Sequence, residues 1–224
     1  MSDMISEALD RVESIVKPHL RGVLHEAAFA LSLVTGTALI CLAPDGLSRI
    51  SAIVYAGSQV LLFGTSAAYH RGRWSATGRS VLSRLDHSMI CVQIAGTDTP
   101  VLLLLLDGML RNVLFAVVWG GALGGIVARN AVRTPPRLVF VGLYLTLGWI
   151  AVVIVPGVLQ HGGVAVLVLL LTGGAFYSCG AVVYGLQRPD PSPIWFGFHE
   201  VFHAFTLAAF FCHYVAVSLI VYRH

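Results

Sequence analysis

Seven near-continuous apolar stretches divide this chain, at approximately 26–44, 50–70, 81–106, 110–128, 137–156, 163–186 and 199–222. Each is close to the ~20 residues that a helix needs to cross the hydrocarbon core of a bilayer. Ahead of them, Ile5, Leu9, Val12, Ile15, Val16, Leu20 and Val23 recur at helical spacing among charges. That pattern predicts an amphipathic helix lying on the membrane surface from Ile5 to Leu24, bent at Pro18. The expected architecture is an all-α integral membrane protein, with an amphipathic segment over 1–25 and a seven-transmembrane helix bundle over 26–224. Gly120, Gly121, Gly124 and Gly125 in the fourth span are read as contact points for close helix packing.

Composition supports that division. Of the 224 residues, 57% are hydrophobic and only 11% charged, and the mean hydropathy of +0.82 is far too apolar for a soluble globule. No polar stretch is long enough for a second domain. The basic residues are scattered over loops rather than clustered, which argues against nucleic-acid binding. Cys41, Cys91, Cys179 and Cys212 fall inside apolar stretches without C-x-x-C spacing, so they read as small buried hydrophobes. The polar N-terminus has no short apolar core followed by a cleavage site, so no removed signal peptide is expected.

Charge also sets the expected orientation. With the N-terminus in the cytosol, all 14 Lys and Arg except Arg49, Arg111 and Arg223 fall on the cytoplasmic side. The odd number of spans then puts the C-terminus outside. It also brings His70 at the end of the second span, Asp86 at the start of the third, and His199 and His203 at the start of the seventh to one depth near the inner face.

Those residues carry the chemistry. Ionisable groups inside a bilayer are costly enough to need a partner or a task. His199 and His203, four apart, lie on one helix face about 6 Å from each other. With His70 they make three nitrogens, the ligand number of a catalytic zinc that keeps its fourth position for water. Ser66 lies one turn before His70 and on the same face, where its hydroxyl would hold that water. Asp86 supplies a carboxylate that would orient the water, take its proton, or fix a histidine tautomer.

The spelling His199-Glu200-Val201-Phe202-His203 is also that of zinc metalloproteases, in which the glutamate is the general base. His213 is a poor third ligand for such a site, because it lies ten residues and ~15 Å further along the helix axis. Glu200 points about 100° away from His199 on the helix, so it is expected to be an interfacial carboxylate stabilised by the helix dipole, with Glu200→Gln of little effect. Further out, Asp98 and His213 reach similar depths and are candidates to pair with each other; the alternative is that Thr97, Thr99 and local backbone hold Asp98.

Three motifs give the chain a family likeness. They are Ser66-Ala67-Ala68-Tyr69-His70, then Leu85-Asp86-His87-Ser88 running into Ile94-Ala95-Gly96-Thr97-Asp98-Thr99-Pro100, and Gly197-Phe198-His199-Glu200-Val201-Phe202-His203. Together with Lys17-Pro18-His19-Leu20-Arg21-Gly22, they resemble the hemolysin III family, the bacterial branch of the progestin and adipoQ receptors. The resemblance implies a seven-helix fold with a cytoplasmic N-terminus in the bacterial plasma membrane. It also implies zinc ligands at His70, His199 and His203, with Ser66 and Asp86 beside them. Where the family commonly has tyrosine in its Gly-Thr-x-Thr-Pro motif, this chain has Asp98.

The wider superfamily includes alkaline ceramidases, so the resemblance implies a Zn²⁺-dependent hydrolase acting on an amide or ester of a membrane lipid. The alternative is a receptor or cytolytic protein in which zinc only staples the second, third and seventh helices; the family is named for a reported pore-forming activity. The fourth to sixth spans are too apolar to contribute much to a polar pore. The orientation is tested by single-cysteine labelling of intact cells after the native cysteines are replaced. Positions 75 and 132 should be protected from an impermeant reagent and position 161 modified; the reverse pattern overturns the orientation.

Overall fold

A computed structural model describes residues 17–132 and 137–224. Among the described residues, seven helices are long and apolar enough to cross a membrane: α1 (Val23–Leu42), α2 (Leu47–Arg71), α3 (Ala76–Leu105), α4 (Gly108–Ala131), α5 (Arg137–Gly162), α6 (Val164–Leu186) and α7 (Phe198–Val221). Successive helices pack antiparallel along the chain, and α7 closes the bundle against α1, α2, α3 and α6. The inner helices are α3 and α2; in its most apolar stretch α3 is 61% buried, against 17% for α4, which leaves α4 facing lipid. We call the end where α1, α3, α5 and α7 begin the basal end.

The third span starts earlier than its hydropathy suggests. Ser75 caps α3 by accepting a hydrogen bond from the Gly78 amide at 3.2 Å, so the polar run Thr77-Gly78-Arg79-Ser80 is its first turns rather than a loop. Asp86 therefore sits ten residues inside the helix instead of at its start. Pro100 lies within α3 without ending it. Close by, the Thr99 hydroxyl donates to Ala95 O at 2.7 Å and accepts from Trp119 Nε1 at 3.1 Å, the kind of side-chain support that makes proline tolerable in a membrane helix.

The fifth span runs beyond the expected end at 156. It passes from α-helix (Arg137–Gly148) through a 3-10 segment (Trp149–Ile154) and a short α turn containing Pro156 into a π segment (Val158–Gly162). Pro156 alters the hydrogen-bonding pattern there rather than terminating the helix, and Gly163, at φ 83°, makes the turn into α6.

Residues 1–16, which hold most of the expected amphipathic helix, and Arg133 of the α4–α5 loop lie outside the described residues. From Lys17 onward the chain departs from the expected helix: Lys17–Gly22 forms turns. Proline 18 has no amide to donate, and Gly22 adopts φ 82°, which breaks the helical path. The segment is tied instead to the α6–α7 loop, with His19 N donating to Ile194 O at 2.9 Å and Leu20 N to Trp195 O at 3.2 Å.

The α4 glycines divide by face. A Cβ at Gly125 would meet Cys91 Sγ at 2.8 Å and Leu143 at 2.9 Å, and one at Gly121 would meet Leu147, whereas Gly120 and Gly124 have open space beside them. Only the first pair lets neighbouring helices approach. Gly125→Val should therefore destabilise the bundle by roughly 1–3 kcal/mol through overpacking. Gly124→Ala should be neutral or slightly stabilising through helix propensity. Thermal unfolding of the two variants in detergent checks this, and equal melting temperatures would overturn the facing assignment.

Candidate metal centre

Four helix ends converge at the basal end. The last turns of α2 carry Ser66 and His70, α7 begins with His199 and His203, α3 brings Asp86, and α1 brings His25 from its first turn. His70, His199 and His203 each offer one ring nitrogen, and the three nitrogens lie within 4.8 Å of one another. His70 Nε2 and His199 Nε2 are 3.1 Å apart. Two imidazoles bound tetrahedrally to one zinc at 2.0–2.1 Å would have nitrogens about 3.3 Å apart, so the donor set fits that ion in kind and number, and the His70–His199 pair fits it in spacing. Asp86 Oδ2 lies 3.9 Å from His70 Nε2, and its carboxylate faces the Ser66 hydroxyl.

Sequence reasoning singled out those five residues and missed the sixth, His25. Its ring stacks on His203 with centroids 3.6 Å apart and planes 6° from parallel, and its Nδ1 makes a 2.8 Å hydrogen bond with Ser66 Oγ. It is 3% exposed, and its Nε2 has no partner. Depth alone was the available signal, since a histidine three residues into the first span sits at the same level as His70. His87, inside a quoted motif but given no role, has Nδ1 2.8 Å from Ser83 O. Nδ1 therefore carries the proton, and Nε2 accepts from Tyr184 OH at 3.1 Å.

Glycine 22 explains how the N-terminal segment can lie over this cluster. A Cβ there would come within 2.6 Å of His70 Cβ, and the positive φ independently disfavours a side chain. The same segment delivers Arg21, whose Nε donates to Glu200 Oε1. Glu200 Oε2 accepts from the Gly197 amide at 2.9 Å and caps α7. At 1% exposed, Glu200 is not the interfacial carboxylate expected; it is the buried half of an ion pair that pins the start of α7. Nearby, Lys17 has its ammonium held below the usual lysine range by burial first, and then by the Arg21 and Arg71 cations.

The histidines stand between two spaces. His25, Ser66, Asp86, His199 and His203 line one end of a long cavity that runs outward among α2, α3, α5, α6 and α7, past Ile94, Val101, Leu167 and Leu170, and opens on the bundle surface at Trp149, Val152 and Leu171. His70 instead faces a basal surface pocket with Lys17, Arg21, Tyr69, Arg79 and Asp190. The cluster thus touches an apolar tunnel on one side and a charged vestibule on the other.

The candidate pair of Asp98 with His213 is not formed. His213 Nε2 donates to Leu170 O at 3.1 Å, its ring filling the space that Gly173 leaves on α6. His213 Nδ1 and Asp98 Oδ2 both lack a partner. Similar depth placed the two residues at one level but did not fix their direction around the helix axes. All four cysteines are free, and Cys41 and Cys179 are exposed on the bundle surface rather than buried.

The Haemolysin-III related family model matches residues 13–214. This chain belongs to that family. The Hemolysin-3 homolog of Bacillus subtilis is 34% identical over 167 residues, spanning 73% of this chain and 75% of that protein. Hemolysin-3 of Bacillus cereus is 27% identical over 93% of this chain and 95% of its own. The human monocyte to macrophage differentiation factor is 25% identical over 92% of this chain and 85% of its own. The chain is therefore a multi-pass membrane protein of hemolysin III type.

Breaking the Arg21–Glu200 pair should cost stability rather than chemistry. Glu200→Ala leaves a partly exposed guanidinium unpaired and an α7 amide uncapped, so a loss of about 3 kcal/mol is expected, the low end for buried pairs because Arg21 retains some water. The thermal midpoint in detergent should fall, while metal content at low temperature stays unchanged. An unchanged midpoint overturns the role given to the pair.

Proposed function

We propose that this protein is a zinc-dependent hydrolase of a membrane-lipid amide or ester, with His70, His199 and His203 as ligands and the basal end facing the cytosol. The observation that carries this reading is the meeting of three imidazole nitrogens within 4.8 Å of one another at the polar end of an apolar tunnel. A purely structural zinc site is typically closed by four protein ligands. Here Asp86 lies 3.9 Å from His70 alone and falls outside the set of donor atoms within 4.8 Å of one another, a position suited to proton transfer through an intervening water.

When bound, the metal supplies Lewis-acid polarisation of the carbonyl and lowers the pKa of water from 15.7 toward ~7. The protein does the rest. Asp86 takes the proton from the attacking water and returns it to the departing amine or alcohol. Ser66, held by His25 on one side and facing Asp86 on the other, orients that exchange. The stack of His25 on His203 fixes the plane of one ligand ring, and the Arg21–Glu200 pair fixes the helix that carries two.

The apolar lining of the tunnel suits an acyl chain, which would enter with its carbonyl toward the histidines. The vestibule on the His70 side suits the entry of water and the exit of the polar product. The rival reading, a receptor or cytolysin in which zinc is only a staple, shares the ligands and differs in Asp86. The name Hemolysin-3 of the Bacillus cereus relative belongs to that second reading.

The test compares zinc per polypeptide, melting temperature and lipid-amide turnover across four proteins. His70→Ala and His203→Ala should lose metal and melt earlier. Asp86→Asn, a charge change at nearly constant shape, should keep metal and fold while turnover falls roughly 10²- to 10⁴-fold. Full zinc occupancy in both histidine variants would end the ligand assignment. Unchanged turnover in Asp86→Asn would overturn the mechanism, and absence of any turnover in the zinc-loaded wild type would favour the staple.

A further inference from the structure

The tryptophans of this chain are used in two ways. Trp74 Nε1 donates to Ala68 O at 2.9 Å, Trp119 Nε1 to Thr99 at 3.1 Å and Trp149 Nε1 to Ser178 at 3.0 Å. Trp195, in the α6–α7 loop, has no acceptor for its indole N–H among the described residues and is 58% exposed. Ile194 beside it is 64% exposed, and Leu20 on the facing segment is exposed as well. A patch of large apolar side chains this open marks a surface that something else covers.

The loop that carries the patch is well fixed. Trp195 N donates to Ser192 O at 3.0 Å and Phe196 N to the same oxygen at 2.7 Å, which closes a tight turn around Ile194 and Trp195. His19 N and Leu20 N bond to Ile194 O and Trp195 O, and the His19 ring lies 4.6 Å from that of Trp195. Two segments distant in sequence thus build one apolar platform.

Its level in the membrane follows from α1. That helix has 20 residues and is therefore ~30 Å long, the thickness of the hydrocarbon core, which places its first residue, Val23, at the basal boundary of the core. Val23 N donates to Leu20 O at 3.1 Å, so Leu20 is one turn away, and Leu20 N holds Trp195. The platform accordingly lies just outside the hydrocarbon. On its other side, α6 ends at Leu186, an exposed residue of the apolar helix surface only eight positions before Ile194.

We propose that Leu20, Ile194 and Trp195 form an interfacial anchor, seated between the headgroups and the upper acyl chains of the basal leaflet. The occupant of this surface has to be apolar on one side and rich in hydrogen-bond acceptors on the other, and that boundary is both. Leu20 and Ile194 meet acyl carbons, while the open indole N–H meets ester carbonyl or phosphate oxygens. A soluble protein would have to reach the platform through the headgroup layer. Pro18 and Pro193, each next to the platform in its own segment, line the basal vestibule. Part of the vestibule's rim is therefore held at headgroup level. The inference needs neither the metal nor the hydrolase reading.

A depth measurement tests it. The native cysteines are replaced, Ile194→Cys is labelled with an NBD fluorophore, and the purified protein is reconstituted at one copy per nanodisc. The label's emission should be blue-shifted from that of the dye in water. Lipids carrying a nitroxide near the ester carbonyl should quench it more than lipids carrying one at the chain end, and aqueous iodide should quench it little. The same label on Leu20→Cys should report the same depth, and it decides the matter if the first variant does not fold. Strong quenching by iodide without quenching by lipid puts the platform in water and overturns the proposal, as does stronger quenching from the chain ends. Protection from both kinds of quencher would mean that protein covers the patch, which overturns it too.

Discussion

A polar side chain in hydrocarbon must find its partners inside the protein, and that constraint decides which helices of this bundle are central. α2, α3 and α7 carry Ser66, His70, Asp86, His199 and His203, and they are the helices packed inward. α4 carries few polar groups in mid-span and turns most of its surface to lipid. The histidine cluster and the order of packing are thus one fact. Rotating α7 so that His199 and His203 faced lipid would strand two imidazoles and leave His70 with neither nitrogen neighbour.

The constraint extends past the spans to the segment Lys17–Gly22. Gly22 lies where a Cβ would collide with His70, and Arg21 reaches Glu200 beside the clustered histidines. Backbone bonds from His19 and Leu20 to the α6–α7 loop hold the segment in place. The start of the chain therefore fastens α7 to α2 on the basal side, the same two helices that the histidines bring together within the bundle. His25 continues this arrangement one turn further on by bridging Ser66 and stacking on His203.

Much of this could be read from residue order because helix rise converts position into depth. Seven apolar runs gave seven helices, and the three ligand-type histidines met as their depths required. Depth is only one coordinate. It placed Asp98 and His213 at one level on the same cavity, yet their polar atoms do not meet, since the azimuth of a helix depends on packing that no periodicity reports. Glu200 failed for a related reason: its partner lies 179 positions away in a segment expected to be helical, and only the turn made by Pro18 and Gly22 carries Arg21 to it. Boundaries failed where polar residues continued a helix, as before Asp86, or where proline changed the helix type without ending it, as at Pro156.

The two polar levels of the tunnel differ in how far the protein satisfies them. At the basal level the side chains are close enough to serve one another: imidazole faces imidazole, and a serine joins a histidine to a carboxylate. Their remaining nitrogen lone pairs converge on a point that suits a cation. At the outer level Asp98, Tyr177 and His213 come from three different helices, and their unpaired carboxylate, phenol and ring-nitrogen atoms are closed off by their neighbours, with no common centre for a metal. Atoms enclosed separately offer a ligand nothing to reach, whereas converging lone pairs match a group that can accept them. The chemistry of each level thus follows from how the bundle packs around the atoms it leaves unpaired.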